Sequence, residues 1–245
     1  MTKSERIDIT PGFRPLYRQA YDFLVKRIAE GAWRPGRPLP SEQALAAEMG
    51  VSQGTVRKAL DAMAGEKLIE RRQGKGTYVA EQTQERALFR FFRLAHPEGP
   101  RAIPECGEES VERRAAKPKE IERLGLKSGA KVAEIRRVRL IDRKPAVNET
   151  IIIPLQLFPD IDRRGQLPNT LYSLYQSAYG INIVAAEEEL RADLARKDDV
   201  KALGVGLGAP LLHIERIALA IDGTRVELRI SRCDTSHLVY AVTIR

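Results

Sequence analysis

Apolar residues fall at helical spacing from Leu16 to Glu30, where Ala20, Phe23, Leu24 and Ile28 form one stripe and Gly31 stops the pattern. The following stretch, Trp33 to Pro40, holds three prolines and a glycine and must be an irregular connector. Ser41 is a candidate N-cap for a short helix over 42–49, with Gly50 as its stop. Ser52 opens a longer helix whose buried stripe is Val56, Ala59, Leu60 and Met63. Two helices joined by so short a turn predict a helix-turn-helix. Behind it, Lys67 to Val79 is two strand-like runs around Gly74-Lys75-Gly76, a β-hairpin with a cationic tip. The polar residues 81–87 are expected to link this unit, residues 13–80, to a second one over 88–245.

The second unit contains a repeat. Leu124-Gly125-Leu126, Gly129-Ala130 and Ile135-Arg136-Arg137-Val138 recur 79 residues later as Leu203-Gly204-Val205, Gly208-Ala209 and Ile214-Glu215-Arg216-Ile217. Each copy runs through a charged turn into a strand-like segment carrying a glutamate, Glu149 or Glu227. Two copies of helix end, strand, turn and strand imply a pseudo-symmetric antiparallel sheet. A helix is expected over 171–179, a polar strand over 187–194, and a half-buried strand at Phe89-Arg90-Phe91-Phe92. The whole is expected to be α+β, with the helices covering one face of the sheet.

Composition narrows the class. In 245 residues, 43% are hydrophobic and 30% charged, as in a globular protein. No apolar run approaches a membrane span, and the opening MTKSERIDIT lacks the apolar stretch of a signal peptide, so a cytoplasmic location without membrane contact is expected. Cys106 and Cys233 are too few and too far apart for a disulfide framework or a metal site, and neither metal nor cofactor is expected. The net charge is +8, and the first 80 residues hold 14 Lys+Arg against 9 Asp+Glu, so the excess is concentrated in the helix-turn-helix third.

That placement gives the pattern a chemistry. The second helix of such a motif enters the major groove by its N-terminal end, here Ser52, Gln53, Gly54 and Thr55, with Arg57 and Lys58 one turn on. Gln pairs bidentately with adenine, and Arg with guanine or phosphate. A solvated helix face would carry the same residues. The hairpin beside it favours DNA, because Arg71, Arg72 and Lys75 on the Gly74 and Gly76 tip suit a minor groove.

The stretch from Leu16 to Val79 resembles the winged helix-turn-helix of the GntR family. The resemblance is carried by Leu39-Pro40-Ser41-Glu42, by Val51-Ser52-x-x-Thr55-Val56-Arg57-x-Ala59-Leu60, and by Gly74-Lys75-Gly76-Thr77-Tyr78-Val79. It implies DNA contacts from Ser41, Glu42 and Gln43 as well. Gln43 and Gln53 stand where the family usually has arginine, which implies half-sites with a different base preference. Residues 85–245 resemble the UTRA effector domain of the HutC branch, a chorismate-lyase-like fold, through Arg137-Val138-Arg139, Glu149, Pro154 with Phe158-Pro159, and Gly208-Ala209-Pro210-Leu211-Leu212.

Arg137 and Arg139, two apart on a strand, share a face and could clamp a carboxylate or phosphate, with Glu149 on the next strand. From spacing alone, a cross-strand ion pair on an exposed sheet is the favoured reading. The resemblance places these three in an effector pocket, together with Arg90, Thr170, Tyr172 and Glu227. Arg90 and Cys233 depart from the sugar-phosphate-binding members, which implies a smaller organic anion as effector. The expected function is a ligand-responsive regulator, a repressor bound to a palindromic double-stranded operator as a homodimer. An enzyme is the rival suggested by the lyase-like fold, but no nucleophile stands beside a recognisable base. A non-specific architectural protein would leave the second domain unexplained.

Overall fold

A computed structural model describes residues 14–243, apart from 82 and 100. The opening decapeptide, on which the signal-peptide expectation rests, lies outside the described residues. The first unit is α1 (Leu16–Ala29), α2 (Glu42–Met49), α3 (Gln53–Gly65), β1 (Ile69–Arg72) and β2 (Gly76–Val79). Both serines are N-caps: Ser41 accepts from the Ala44 amide and Ser52 from the Thr55 amide, each at 3.1 Å. Gly50 closes α2 at a φ of 65°, a left-handed conformation that glycine adopts without strain. Ala20, Leu24 and Ile28 of α1 share one core with Val56, Ala59, Leu60 and Met63 of α3. The proline-rich connector does not wander. Its Leu39 amide donates to the Thr77 carbonyl at 2.7 Å and its Gly36 amide to the Val79 carbonyl at 3.0 Å, so it seats the base of the wing.

The second unit is built on one six-stranded antiparallel sheet in the order β4-β5-β6-β9-β8-β7. Its strands are β4 (Glu105–Ala115), β5 (Lys131–Ile141), β6 (Lys144–Pro154), β7 (Ile183–Leu194), β8 (Pro210–Ala220) and β9 (Arg225–Cys233). The repeat accounts for that order. The first copy, β4, α5 (Pro118–Leu124), β5 and β6, forms one half, while β7, α7 (Lys197–Leu203), β8 and β9 form the other, and the halves join where β6 pairs with β9. The expected helix is α6 (Leu171–Tyr179). A two-stranded pair, β3 (Leu94–Ala95) with β10 (Val239–Tyr240), closes the far end.

Two expectations are corrected. Helices cover both faces of the sheet. Ala133, Ile135, Ile151 and Ile153 pack under α6 and the preceding α4 (Gln84–Phe91), while Val132, Ile152 and Leu228 on the other face pack against Leu124 of α5. A single covered face would leave Val132 and Ile152 exposed, yet they are as buried as Ala133, Ile135, Ile151 and Ile153 on the opposite face. The second correction is Phe89 to Phe92, which ends a helix instead of forming a strand. That helix, α4, begins within the segment expected to be a linker, where the Thr83 hydroxyl accepts from the Arg86 amide at 3.2 Å.

Candidate DNA-reading surface and effector pocket

The reading end of α3 is exposed and organised around one carboxylate. Glu42, at the start of α2, accepts on Oε2 from Arg57 Nε at 2.9 Å and Nη2 at 2.8 Å, and from Gln53 at 3.3 Å. Its other oxygen lies 3.6 Å from Arg71 of the wing, which is also 2.7 Å from Asp61. The Arg57 and Gln53 hydrogen bonds, with the charges of Arg57 and Arg71, outweigh partial burial and hold the Glu42 carboxyl below its usual range. Helix and wing thus present their cations on one surface. Lys58 lies over the Tyr17 ring at 4.3 Å and Arg72 over the Tyr78 ring at 4.2 Å, so both long stems are steered by aromatic faces. The wing tip turns at Gly74, with φ 68°, and Gly76, with φ 104°, leaving Lys75 exposed.

The expected DNA residues divide by task in this geometry. Gln43, Gln53, Gly54, Arg57, Lys58, Arg72 and Lys75 are exposed, whereas the hydroxyls of Ser41 and Ser52 cap helices and the Thr55 hydroxyl lies 2.9 Å from that of Ser52. Glu42 is half-buried and gathers the cations around it.

In the second unit, strand register puts Arg137 directly across from Glu109 and from Glu149, and Glu149 across from Ser231. Directly paired residues share a face, as do residues two apart, so Arg139, Glu227 and Arg229 join them. This is the face under α4 and α6. Arg139 donates to the Asn169 carbonyl at 3.0 Å and to its side-chain oxygen at 2.8 Å. Arg229 bridges Glu149 at 3.0 Å and both oxygens of Glu227 at 2.9 and 3.0 Å, while Tyr172 and Tyr175 donate to Glu227 at 3.1 and 2.7 Å. Burial alone would raise the Glu149 carboxyl. Arg229, Arg139, Arg137 and Arg216 together hold it below its usual value, so it stays ionised. Burial lowers the Arg139 guanidinium, the Glu149 charge offsetting only part of that.

Two small cavities, about 40 and 30 Å³, flank Glu149, Arg216 and Arg229. The larger is roofed by Phe91 and Phe92 and walled by Arg139, Thr170 and Tyr172. Arg137 Nη2 and Glu149 Oε2 are buried without a hydrogen-bond partner among the described residues. An unpaired donor and an unpaired acceptor side by side each carry a desolvation cost of about 1–3 kcal/mol, which a ligand with complementary groups would remove.

Six of the seven expected effector residues therefore lie together. Arg90 does not. It donates to the Val184 carbonyl, lies 5.3 Å from the centre of the Phe91 ring, and lines a separate cleft towards the wing. Arg216 and Arg229 belong to the cluster and were missed. Arg216 is the repeat counterpart of Arg137, and Arg229 is two residues from Glu227, so both signals were present in the sequence. Cys233 is buried beside the smaller cavity with its thiol pushed far up by burial, consistent with a small apolar residue. Among the described residues no group of three or more His, Cys, Asp or Glu could hold a metal ion, and no helix is long and apolar enough to cross a membrane.

Comparison with known proteins follows the same division. Residues 16–79 match the profile of bacterial regulatory proteins of the gntR family, and residues 105–238 match that of the UTRA domain. The chain is 30% identical over 220 residues to the HTH-type transcriptional repressor NagR of Bacillus subtilis, covering 87% of this chain and 88% of that one. It is 30% identical over 213 residues to the mannosyl-D-glycerate transport/metabolism system repressor MngR of Escherichia coli, covering 86% and 88%. Among solved structures it resembles the ligand-binding domain of a GntR-family transcriptional regulator from Bordetella bronchiseptica. That match has a TM-score of 0.58 and 29% identity, over 63% of this chain and 98% of the other. These relatives are regulators, not enzymes.

Proposed function

The chain belongs to the GntR family of bacterial regulatory proteins and carries a UTRA domain, and from that membership we propose that it is a ligand-responsive transcriptional repressor. It binds a palindromic operator in the cytoplasm as a homodimer, each copy reading one half-site with α3 and the wing. The observation that carries the reading is the single exposed surface on which Glu42 gathers Arg57, Gln53 and Arg71. Arg57 supplies guanine or phosphate contacts, Gln53 and Gln43 set base preference, and Arg72 and Lys75 follow the adjacent minor groove. Twofold operator symmetry requires a twofold protein, which is the ground for the dimer.

The effector is a compact organic anion that also carries a hydrogen-bond donor. Its anionic group meets the open Nη2 of Arg137 and the Arg139 guanidinium, and its donor meets Glu149 Oε2. Cavities of about 40 and 30 Å³ hold no more than a few atoms, so the ligand enters by displacing the Phe91 and Phe92 roof. It shifts DNA binding only by the difference in its affinity for the two arrangements.

The test is footprinting on the DNA upstream of the protein's own gene, followed by a screen of small carboxylates for release. A symmetric protected site, with a releasing ligand that fails on Arg139→Ala but not on wild type, supports the reading. An asymmetric single half-site, or release that survives Arg139→Ala, contradicts it.

A further inference from the structure

Removing Arg90 from the effector cluster leaves a half-buried guanidinium to explain. It lines a cleft of about 820 Å³ between the base of the wing and the second unit. One wall is Lys67, Ile69 and Glu70; the other is the outer side of α4 with Arg86 and Arg90, continued by Arg93 and Arg101. Three carboxylates also line it, and one is committed: Glu70 pairs with Arg86 and lies 3.6 Å from Arg72. Glu81, which packs over Gly36, and Glu85, exposed in the first turn of α4, have no ion pair among the described residues. Against them stand three cations with no carboxylate partner among the described residues: Lys67, Arg93, and Arg90, which donates to the Val184 carbonyl and lies 5.3 Å from the centre of the Phe91 ring. Burial lowers the Arg90 guanidinium with no nearby anion to offset it.

Cations without counterions in the wall of a concave cleft are an arrangement that an anion stabilises. The cleft is not an extension of the DNA surface. Lys67 follows the C-terminal end of α3, whose 13 residues put it about 20 Å from the reading end, and the strand ends Ile69 and Ala80 lie opposite the wing tip. Nor is it the effector pocket. Arg90 lines the cleft and neither cavity of that pocket, whereas Phe91 and Phe92 line the pocket and Arg93 lines both the cleft and the smaller cavity, so this one segment separates the two.

We propose that this interdomain cleft is a second anion site, taking a small multiply charged phosphate or carboxylate between Lys67 on one wall and Arg90 and Arg93 on the other. An anion there bridges the two units and so favours the domain arrangement that keeps those walls together. The site stands whether or not the effector assignment is correct.

The experiment is calorimetric titration of the full-length protein, without DNA and at constant ionic strength, with inorganic pyrophosphate and, separately, citrate. Expected is saturable binding of at least one at millimolar concentration or below. The Arg90→Gln/Arg93→Gln double variant should weaken it at least tenfold and Lys67→Gln by several-fold, while Arg139→Gln and Arg57→Ala leave it unchanged. A thermal melt checks that each variant is folded. Should the double variant not fold, the exposed Lys67→Gln substitution carries the same comparison. Failure of both probes to saturate overturns the proposal. So does equal binding by the Lys67 and double variants, and so does loss with Arg57→Ala or Arg139→Gln, which would assign the anion to the DNA surface or the effector pocket.

Discussion

At the scale of single residues, the chemistry rests on carboxylates that organise arginines. Glu42 shares a motif with Ser41 and was expected to touch DNA, but its two oxygens are turned to Arg57, Gln53 and Arg71. A carboxylate facing phosphate would repel it; one behind the arginines fixes their direction. Glu42→Gln is therefore expected to lower the ratio of operator to random-DNA binding about tenfold, ~1.4 kcal/mol, without weakening random-DNA binding. Competition titrations measure both. Equal losses on the two DNAs would return Glu42 to a general structural role. A second residue is His213, whose ring nitrogens lie 3.1 Å from Arg191 and 3.3 Å from Arg232, with Asp193 at 3.9 Å and Glu215 nearby on the same face. Burial, then Arg191 and Arg232, lower its pKa from 6.5, against the opposing pull of Asp193 and Glu215. The unfolded chain thus binds this proton at a higher pH than the folded one. Stability from this group is complete above about pH 6.5 and falls as the pH drops below it. His213→Gln should flatten the decline between pH 6.5 and 5 in denaturant melts, and an unchanged slope would remove His213 from it.

At the scale of elements, the sequence was most legible where local chemistry decides the structure. Ser41 and Ser52 mark helix starts because their hydroxyls satisfy amides that nothing else reaches, and Gly50 marks an end because its backbone is left-handed. Ser52→Ala is expected to cost about 1 kcal/mol of stability and to weaken operator binding, since the frayed turn is the reading end. Urea denaturation checks the first; a loss below a few tenths would mean that tertiary packing alone holds that turn. The error at Phe89 to Phe92 has the opposite cause. A four-residue apolar run carries no period long enough to separate strand from helix, and Thr83, the cap that would have settled it, stands six residues earlier in a segment taken as linker. Arg90 was expected in the pocket on the resemblance alone, and in the structure it turns to the Val184 carbonyl and lines the cleft beside the wing, a placement set by where α4 packs.

At the scale of the whole molecule, the internal repeat was visible and the sheet order follows from it, but the coverage of both faces depends on where α4 and α6 return, which no local pattern states. The side-chain cluster proposed as the effector site was legible in the same partial way. Arg137, Arg139 and Glu149 come from neighbouring strands of one copy, whereas Arg216 and Arg229 come from the other half and join them only across the central β6 and β9 pairing. The two units are also in direct contact. Gln176 of α6 donates to the Ala80 carbonyl at the end of the wing at 3.0 Å, Arg86 of α4 pairs with Glu70 of β1, and Val184 and Ile221 pack against the helix-turn-helix core. A ligand that moves the α4 roof therefore moves a segment bonded to the wing. This arrangement depends first on the exposed surface being a sequence-specific DNA reader. The direct measurement is a fluorescence anisotropy titration of wild type and Arg57→Ala against the DNA upstream of the protein's own gene and against a scrambled duplex, at physiological salt. The account predicts at least ~1000-fold tighter binding of the upstream DNA by wild type, with that margin lost in Arg57→Ala. Equal, weak binding of both duplexes by wild type would contradict it.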